Sequence, residues 1–530
     1  MIHKLMNLVQ FIGTNSKYII PFVLFLGSFL IYSYNLEGQP WHGDEVVYLS
    51  WAGNYIQLIM KGDFSNPCLV SLDNCHLLYH IPAYGLTYSP VRNLLIGFPM
   101  DVRNEDNGYF NIWACYWQCT GHSNLPTVQE FTAGRLFSPL FGSLTIVISF
   151  LIGKFFFNKY VGVIFSLLFL FYDLWLWYSR SIMTEIHYIF FSMLSLLLLL
   201  YAFKTGQVKI RYLILSAISF GLAFTSKMLS VEFSGLFLGI ILFGSMFKRE
   251  TGSTPDKVSI PKIGLSILLF VMITVLSFFL TLPGFYENPL HQIAVTKTDM
   301  DNYNRDVWYI GYPTIHGIQI KNMVTVFHYV LFPSFLEKSI LGPSSNQFGN
   351  FSLTSPLTYS SIPLSIFFFI GLGYLIYRAR KFKNYAKDGV ILIWFISTFI
   401  FTLLIAKDFS QERYLLPLLI SIIFIASYGF WNFINGITYR KTKIAFAGCF
   451  VFAHSVTAML DWQSFYFSPG VVWTSPLPFG TLQRSLDNPF TFAVNATFVG
   501  FLLFVTIISF RERFHKQKEV RIKNNTKINL

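Results

Sequence analysis

Long apolar runs recur along the chain and alternate with short polar segments. Each run is close to the roughly 20 residues that a bilayer requires, so the pattern predicts an all-α polytopic membrane protein. Only 12% of the residues are charged, against about 25% in soluble proteins. The twelve predicted spans are 18–34, 133–153, 160–178, 186–203, 212–226, 230–246, 263–283, 356–377, 389–406, 413–434, 444–460 and 490–510. The first run lacks a small-residue cleavage site, and we interpret it as a retained span.

Two segments between the predicted spans are too long to be simple connections. Residues 35–132 and 284–355 mix aromatic, Gly, Pro and charged residues, as folded caps on a membrane do. Long loops in compact proteins are usually functional. We therefore expect an N-terminal segment with the first span, a first outer loop, spans two to seven, a second outer loop, spans eight to twelve, and a tail. The expected bounds of these regions are 1–34, 35–132, 133–283, 284–355, 356–510 and 511–530.

The distribution of charge orients the predicted spans. The chain holds 39 Lys+Arg and 26 Asp+Glu, and its formal net charge is +13. With a cytoplasmic N-terminus, the inner segments carry 26 of these basic residues and only five of the acidic ones. This is the positive-inside pattern, with both termini cytoplasmic. It explains the basic character without a nucleic-acid partner, and the basic tail of residues 511–530 is interpreted as lipid-facing or solvated.

The first outer loop begins with the turn sequence Gly-Gln-Pro-Trp-His-Gly-Asp-Glu at residues 38–45. Apolar residues then recur at steps of three and four, which predicts an amphipathic helix that starts at the two acids. Asp44 and Glu45 would lie in its first turn, where the helix dipole favours negative charge. Such a carboxylate stays ionised and can accept a proton from a hydroxyl or hold a cation. The alternative is an acidic helix start without chemistry.

Further ionisable residues fall at the predicted outer ends of the spans. Charge near the apolar zone is costly and therefore suggests function. Each basic residue could instead snorkel to lipid headgroups, and each acid could simply pair with a neighbouring base. Together they would suit a lipid phosphate that carries a sugar and an acceptor hydroxyl. The basic residues are Arg135, Arg180, Lys227 and Arg413, and the acids are Glu185, Glu232 and, inside an aromatic run, Asp173.

Four of the five cysteines lie in the first outer loop, at Cys68, Cys75, Cys115 and Cys119. An even number in an outer loop favours disulfides in an oxidising compartment, with free thiols as another reading. Cys115 and Cys119 could instead bind zinc with His122, although the spacing matches no standard zinc finger. Cys449 lies in a predicted span and is expected in the core.

Short motifs occur in a definite order along the chain. An Asp-Glu pair follows the first span, Gly-Arg-x-x-Ser opens the second, and Ser-Arg-x-x-x-x-Glu follows the third. Gly-Leu-Ala-x-x-x-Lys and a late Glu-Arg-Tyr-x-x-Pro complete the series. This order resembles the polytopic glycosyltransferases of the GT-C class, in particular the branch with protein O-mannosyltransferases and the bacterial lipid A aminoarabinose transferase. The resemblance covers about the first 250 residues best and extends to the Arg413 motif.

The resemblance implies a polyprenyl-phosphate sugar donor, such as dolichyl- or undecaprenyl-phosphate. The sugar would be transferred with inversion to a hydroxyl of a protein, lipid or glycan on the periplasmic, extracellular or lumenal side. The resemblance implies that Asp44 is the general base and that Glu45 supports it or orients substrate. Glu185 corresponds to a second acidic position, whose identity varies more in the family.

The leaving group in such a reaction is a phosphate, which positive charge stabilises as the bond breaks. The candidates for binding it are Arg135, Arg180, Lys227 and Arg413, whose positions are given by the family motifs. His42 and Tyr414 are candidates for binding substrate. No metal ligand set is predicted, but a divalent cation stays open because members of the class differ in metal use and His42 lies beside the acidic pair.

Two other functions are compatible with twelve spans. A transporter or flippase of a lipid-linked sugar or polar solute often shows two related halves and broken helices near the midplane. The sequence shows no repeated half, and its polar residues crowd one face. A scaffold subunit without activity is the other alternative, and the intact Asp44 and Glu45 argue against it. The sequence therefore predicts a membrane-embedded glycosyltransferase.

Overall fold

The computed structural model describes residues 2–37, 43–62, 89–102, 127–204, 208–244, 260–282, 286, 361–382, 385–406, 416–437, 439 and 442–451. For residues 2–17 and for several others within these ranges, Asp44 and Asp173 among them, it describes the backbone alone. The final predicted span, 490–510, lies outside these ranges, as does most of both outer loops.

The described residues form helices and contain no strand, which confirms the predicted all-α class. The helices before residue 210 are α1 (Ile2–Ser33), α2 (Gly43–Met60), α3 (Pro90–Val102), α4 (Val128–Arg135), α5 (Phe137–Phe156), α6 (Lys159–Leu170), α7 (Asp173–Tyr178) and α8 (Thr184–Phe203). Those that follow are α9 (Ile210–Ser226), a 3-10 helix (Met228–Phe233), α10 (Ser234–Phe243), α11 (Ile260–Leu280), α12 (Ser361–Phe382), α13 (Tyr385–Ala406) and α14 (Leu416–Gly436). A further apolar helix, α15, covers Thr442–Val451.

Four of the described helical segments are long and apolar enough to cross a membrane. They are Val128–Phe156, Thr184–Phe203, Pro261–Leu280 and Leu416–Gly436. Shorter apolar helices coincide with further predicted spans, at Tyr18–Ser33, Lys159–Leu170, Ile210–Ser226, Met228–Phe243 and Thr442–Val451. The protein is thus a polytopic membrane protein, while the predicted number of spans stays a prediction.

Two predicted spans are interrupted near one end. The span predicted at 160–178 is divided into α6 and α7 by Phe171 and Tyr172. The span predicted at 230–246 begins as the 3-10 helix before it continues as α10. The hydrophobic pattern predicted neither break, although Asp173 directly follows the first and Ser230 and Glu232 lie within the second. These breaks place backbone turns beside the polar residues described below.

The helix predicted after the acidic pair is confirmed as α2. It begins at Gly43 and ends at Met60, and Gly62 follows with a φ of 67°. That left-handed backbone conformation favours glycine, which explains why the helix stops here. The predicted apolar face is buried at Leu49, Ala52 and Ile56. Sequence periodicity therefore located this element correctly within the first outer loop.

Small residues let several helices cross at very short range. A Cβ atom added to Gly429 of α14 would lie 1.9 Å from the carbonyl oxygen of Phe367 in α12. One added to Gly371 of α12 would lie 2.1 Å from the carbonyl oxygen of Ile425 in α14. Membrane helices associate through such close packing, because lipid tails leave little hydrophobic driving force between them. The α12–α14 crossing therefore depends on glycine at both positions.

Hydroxyl groups bind backbone carbonyls across neighbouring helices. Ser195 Oγ of α8 donates to the carbonyl of Ser216 in α9 at 2.8 Å, and Ser216 Oγ donates to the carbonyl of Ser195 at 2.7 Å. Ser166 Oγ of α6 similarly donates to the carbonyl of Ile146 in α5 at 2.9 Å. Interhelical bonds of this kind contribute on the order of 0.6 kcal/mol each in membranes. They fix the register of α8 against α9 and of α6 against α5.

The helix bundle has two chemically different ends, which α5 connects. Past the C-terminal end of α5, Phe157 stacks on Tyr428 with ring centroids 3.9 Å apart. The ion pair between Arg378 and Asp388, with a separation of 3.0 Å, belongs to this aromatic end. Phe157, Arg378 and Asp388 lie in segments that the charge pattern predicts to be cytoplasmic. The polar cluster described below lies at the opposite end, where α5 begins.

The prediction that Cys449 is a core residue is wrong. Its neighbours Phe446 and Phe450 on α15 pack against Phe430, whereas Cys449 is an exposed free thiol. In a membrane helix the lipid-facing side is as apolar as the packed side. Apolar character at position 449 therefore could not distinguish the two faces.

The α12–α14 crossing generates a prediction about stability. We expect Gly371→Ala to lower the melting temperature of the purified protein in detergent, because an overpacked contact costs about 1–3 kcal/mol. Gly373→Ala, two positions away on α12, is the matched control, since an added Cβ atom there meets nothing within 4 Å. Thermal unfolding of both variants checks this, and equal melting temperatures would contradict the described crossing.

Candidate functional site

The carboxylate of Glu45 is buried at the start of α2 and is bound by two other parts of the chain. Arg135 donates to it in a bidentate manner, from Nε to Oε1 at 3.0 Å and from Nη2 to Oε2 at 2.7 Å. The backbone N–H of Ile182 donates to Oε1 at 2.6 Å. Bidentate, charge-assisted bonds of this kind are among the strongest in proteins. Glu45 therefore fastens the first turn of α2 to the end of α4 and to the turn before α8.

Arg135 is buried as well, with 1% of its side chain exposed. Besides Glu45, it binds the carbonyl oxygen of Leu36 from Nη1 at 2.9 Å. Glycine at position 134 allows α4 to pack closely against α2, because a Cβ atom there would lie 2.6 Å from Cδ2 of Leu49. The sequence suggested that Arg135 binds the donor phosphate. Its geometry favours a role in positioning Glu45, and the phosphate role stays a prediction.

Arg180 also donates hydrogen bonds to the protein's own backbone. It is fully buried in the turn between α7 and α8, and its guanidinium donates to carbonyl oxygens at the end of α1. The sequence placed this residue among the donor-phosphate ligands and alternatively as a partner of Glu185. In the structure Glu185 forms an ion pair with Lys227.

Glu185 lies in the first turn of α8 and pairs with Lys227, which directly follows α9. Lys227 Nζ is 2.5 Å from Glu185 Oε1, and Thr184 Oγ1 donates to Glu185 Oε2 at 3.0 Å. Glu185 is completely buried, whereas Lys227 keeps 16% of its side chain exposed. Among Arg135, Arg180 and Lys227, only the side chain of Lys227 is partly exposed at the protein surface.

Arg92 of α3 belongs to this polar region, and the sequence reasoning missed it. Its guanidinium lies over the rings of Tyr48 and Trp51 in α2, at 4.7 Å and 5.1 Å from their centroids. Burial lowers the pKa of Arg92 to about 10, and the charges of Tyr48 and Glu185 oppose that effect. The group therefore remains a cation at neutral pH. Arg92 lies in no recognised motif, and only the helix start at Pro90 hinted at a packed segment.

Glu232, on the 3-10 helix, is a second buried carboxyl group near Lys227. Neither of its oxygens has a hydrogen-bond partner within the part of the chain that the structure describes. Lys227 lies within electrostatic range of it, although the ammonium group is paired with Glu185. The local pairing of Glu232 with Lys227 that the sequence suggested is thus not a direct hydrogen bond.

Several predicted site residues lie wholly or partly outside the described part of the chain. Asp44 lies in the first turn of α2, one residue before Glu45, but its side chain is not described. Among the described residues, no three or more His, Cys, Asp and Glu side chains form a group that could hold a metal ion. The predicted residues outside the described ranges are His42, Arg413, Tyr414, Cys68, Cys75, Cys115 and Cys119.

Comparison with protein families gives one match. Residues 115–278 match a family model described as dolichyl-phosphate-mannose-protein mannosyltransferase. The matched range contains Arg135, Arg180, Glu185 and Lys227, and it begins after the acidic motif. No curated protein sequence matches the chain.

Comparison with solved structures also gives matches, at low sequence identity. An oligosaccharyltransferase of Archaeoglobus fulgidus, in complex with zinc and sulfate, has a TM-score of 0.49 at 15% identity, covering 84% of this chain and 53% of that chain. ArnT from Cupriavidus metallidurans, bound to undecaprenyl phosphate, has a TM-score of 0.43 at 12% identity, covering 93% of this chain and 77% of that chain. The chain spans about half the length of the oligosaccharyltransferase that it matches.

The matched family range covers motifs that the sequence analysis singled out, from the Gly-Arg-x-x-Ser motif to the lysine after α9. It confirms the resemblance that the order of those motifs indicated. This chain is an integral membrane protein similar to the polytopic glycosyltransferases of the GT-C class.

Proposed function

We propose that the protein is an inverting glycosyltransferase. It moves a sugar from a polyprenyl-phosphate donor to a hydroxyl group of a protein, lipid or glycan on the non-cytoplasmic side of the membrane. The observation that carries this proposal is the buried, bidentate pair between Glu45 and Arg135, which fixes the acidic motif against the ends of the membrane helices. The family description supports a lipid-phosphate-linked sugar as donor.

Asp44 is the proposed general base. Successive residues of an α-helix lie about 100° apart around its axis, so position 44 occupies a different side of α2 from the anchored position 45. At a helix N-terminus a carboxylate stays ionised, because the helix dipole favours the negative charge. Asp44 would accept the proton of the acceptor hydroxyl as its oxygen bonds to the anomeric carbon. The bond from that carbon to the phosphate oxygen breaks, and the polyprenyl phosphate leaves with the bonding electrons.

Lys227 is the described cation best suited to meet the departing phosphate. Arg135 and Arg180 donate to Glu45 and to backbone carbonyls inside the protein, whereas Lys227 is partly exposed at the same end of the bundle. A cation placed near the developing negative charge lowers the energy of the transition state. Arg413 stays the second candidate, and α14 begins three residues after it.

The arrangement of charges favours an enzyme over a transporter. The two ion pairs of this site join the starts of α2 and α8 to the ends of α4 and α9. The polar side chains between α8 and α9, Ser195 and Ser216, already bind each other's carbonyls. Coupled transporters instead place binding groups near the midplane. Basic residues such as Arg378 and Lys387 lie at the far end, so the positive-inside rule supports an outward-facing site.

The first test uses a panel of radiolabelled polyprenyl-phosphate sugars with the purified protein in liposomes. Transfer of label to protein, lipid and glycan fractions identifies both donor and acceptor. We expect Asp44→Asn to lose at least about 100-fold in transfer rate, since general base catalysis contributes roughly 10²–10⁴. Glu37→Gln is the matched control, because it removes an exposed carboxylate from the same stretch of chain.

Size-exclusion profile and melting temperature establish that both variants are folded. Transfer by Asp44→Asn at the parental rate would remove Asp44 from its role. Movement of labelled lipid across the bilayer without transfer to any acceptor would favour a flippase.

A second test separates the role of Lys227 in stability from its role in donor use. Lys227→Met should destabilise the protein by about 3–5 kcal/mol, because it leaves Glu185 buried without its cation. The donor KM should rise in Lys227→Met. The double variant Glu185→Gln/Lys227→Met should regain most of the lost stability, but its donor KM should stay raised. Thermal unfolding and steady-state kinetics measure the two effects.

Lys61→Met, at an exposed position after α2, is the control for loss of a lysine. If the double variant recovers the parental donor KM along with its stability, Lys227 serves to neutralise Glu185, and the phosphate role is excluded.

A further inference from the structure

The turn between α7 and α8 holds both ends of the segment that carries the acidic motif. Arg180 of this turn donates to carbonyl oxygens where α1 ends. Two residues later, the N–H of Ile182 donates to the carboxylate of Glu45 where α2 begins. The chain between these attachment points includes the sequence Pro-Trp-His-Gly-Asp. One short turn therefore limits where that segment starts and where it stops.

The donors of Arg180 are largely occupied by the backbone. Nη1 donates to the carbonyls of Ile31 at 2.8 Å and Tyr32 at 3.1 Å. Nη2 donates to the carbonyls of Tyr34 and, at 3.3 Å, of Asn35. An arginine has five N–H donors, and both terminal nitrogens, which carry four of them, are each bonded to two carbonyl groups. A phosphate would have to displace carbonyl groups from a side chain with no exposed surface.

A positive charge is favourable at the C-terminal end of a helix, which is where Arg180 contacts α1. The last carbonyls of a helix have no intrahelical partners and carry partial negative charge, which a cation stabilises. Asn35 then turns the chain with a φ of 49°, a left-handed conformation that Asn adopts more readily than most residues because its short polar side chain can hydrogen-bond locally. Arg180 binds the carbonyl of this same residue. The turn out of the membrane helix is therefore stabilised from outside the segment.

The turn that carries Arg180 is itself fixed to α5. Ser138 Oγ donates to the carbonyl of Ser181 at 2.7 Å. A Cβ atom on Gly142 would lie 2.6 Å from Ser179 Oγ, so the turn packs directly on the helix surface. On the other side, Tyr32 of α1 donates through its hydroxyl to the carbonyl of Leu170 at 3.3 Å. The turn therefore holds the Arg180 guanidinium in a fixed position next to the end of α1.

We propose that Arg180 is a positioning residue of the acidic motif and not a ligand of the donor phosphate. It sets the point at which the chain leaves α1, while Arg135 and the Ile182 N–H set the point at which α2 begins. The consequence for catalysis depends on the proposed glycosyltransferase function, but the anchoring of the segment does not.

Positioning and phosphate binding have different kinetic signatures. A residue that holds the base in place affects the chemical step, so its loss lowers kcat with little change in the donor KM. A residue that binds the donor phosphate in both ground state and transition state raises the donor KM when it is removed. Lysine at position 180 keeps the charge but cannot reproduce the planar fork of a guanidinium. Arg180→Lys thus removes the geometry and retains the electrostatics.

The experiment compares Arg180→Lys and Arg180→Gln with the control Arg211→Lys, at an exposed position near the start of α9. Hydrogen exchange of the full-length protein in detergent should become at least about tenfold faster for amides in residues 34–50 of both Arg180 variants. Exchange within α5 and α8 should stay at the parental rate. For transfer, kcat should fall about 10- to 100-fold, since a displacement of about 1 Å can cost that much. The donor KM should stay within about twofold, as expected when ground-state binding is retained.

Each outcome decides the proposal. Unchanged exchange in residues 34–50 overturns the anchoring, and a raised donor KM with unchanged exchange assigns Arg180 to the phosphate. If the parental protein transfers no sugar, the proposed function fails, while the exchange measurement still tests the anchoring. If Arg180→Gln does not fold, Arg180→Lys carries the test, because it preserves the buried charge.

Discussion

The bidentate pair between Glu45 and Arg135 is the interaction on which the rest of the site depends. Both side chains are buried, and a buried ion pair is favourable only when its geometry is good and its remaining hydrogen-bonding groups are satisfied. The N–H of Ile182 and the carbonyl of Leu36 provide that satisfaction. The pair therefore links three stretches of the chain that are far apart in sequence, around residues 36–45, 135 and 182. Removing either charge would leave the other uncompensated beside the membrane helices.

The three motif cations that the structure describes at this end of the bundle divide into two kinds. Arg135 and Arg180 donate to a carboxylate and to backbone carbonyls, and they stabilise the path of the chain around the acidic motif. Lys227 pairs with Glu185 but keeps part of its side chain exposed. Arginine suits the first task because its planar fork satisfies several acceptors at once, whereas lysine is a compact and mobile charge. Motif matching alone could not separate these tasks, since all three residues are basic and lie at helix ends.

The sequence predicted the elements of the fold better than the contacts of the site. Apolar periodicity located α2 and its buried face, because burial of Leu49, Ala52 and Ile56 follows directly from helical spacing. It missed the break between α6 and α7, since the residues around that break are apolar except for one acidic residue. Arg92 escaped notice because its significance comes from the rings of Tyr48 and Trp51 on another helix. Such pairings arise from tertiary packing, which local patterns do not encode.

Rigidity of the bundle is what gives the short acidic segment a defined position. Close glycine crossings and reciprocal serine bonds hold the membrane helices in a single register, and the turn before α8 rests on α5 through Ser138 and Gly142. Under the proposed function, a catalytic residue on a segment attached at both ends to such a framework would need little reorganisation when substrate binds, which is how positioned groups contribute to rate. Arg180, through backbone carbonyls, and Arg135, through the Glu45 carboxylate, therefore stabilise the same segment of the chain. Both side chains hold the chain on either side of the acidic motif, one at the end of α1 and the other at the start of α2.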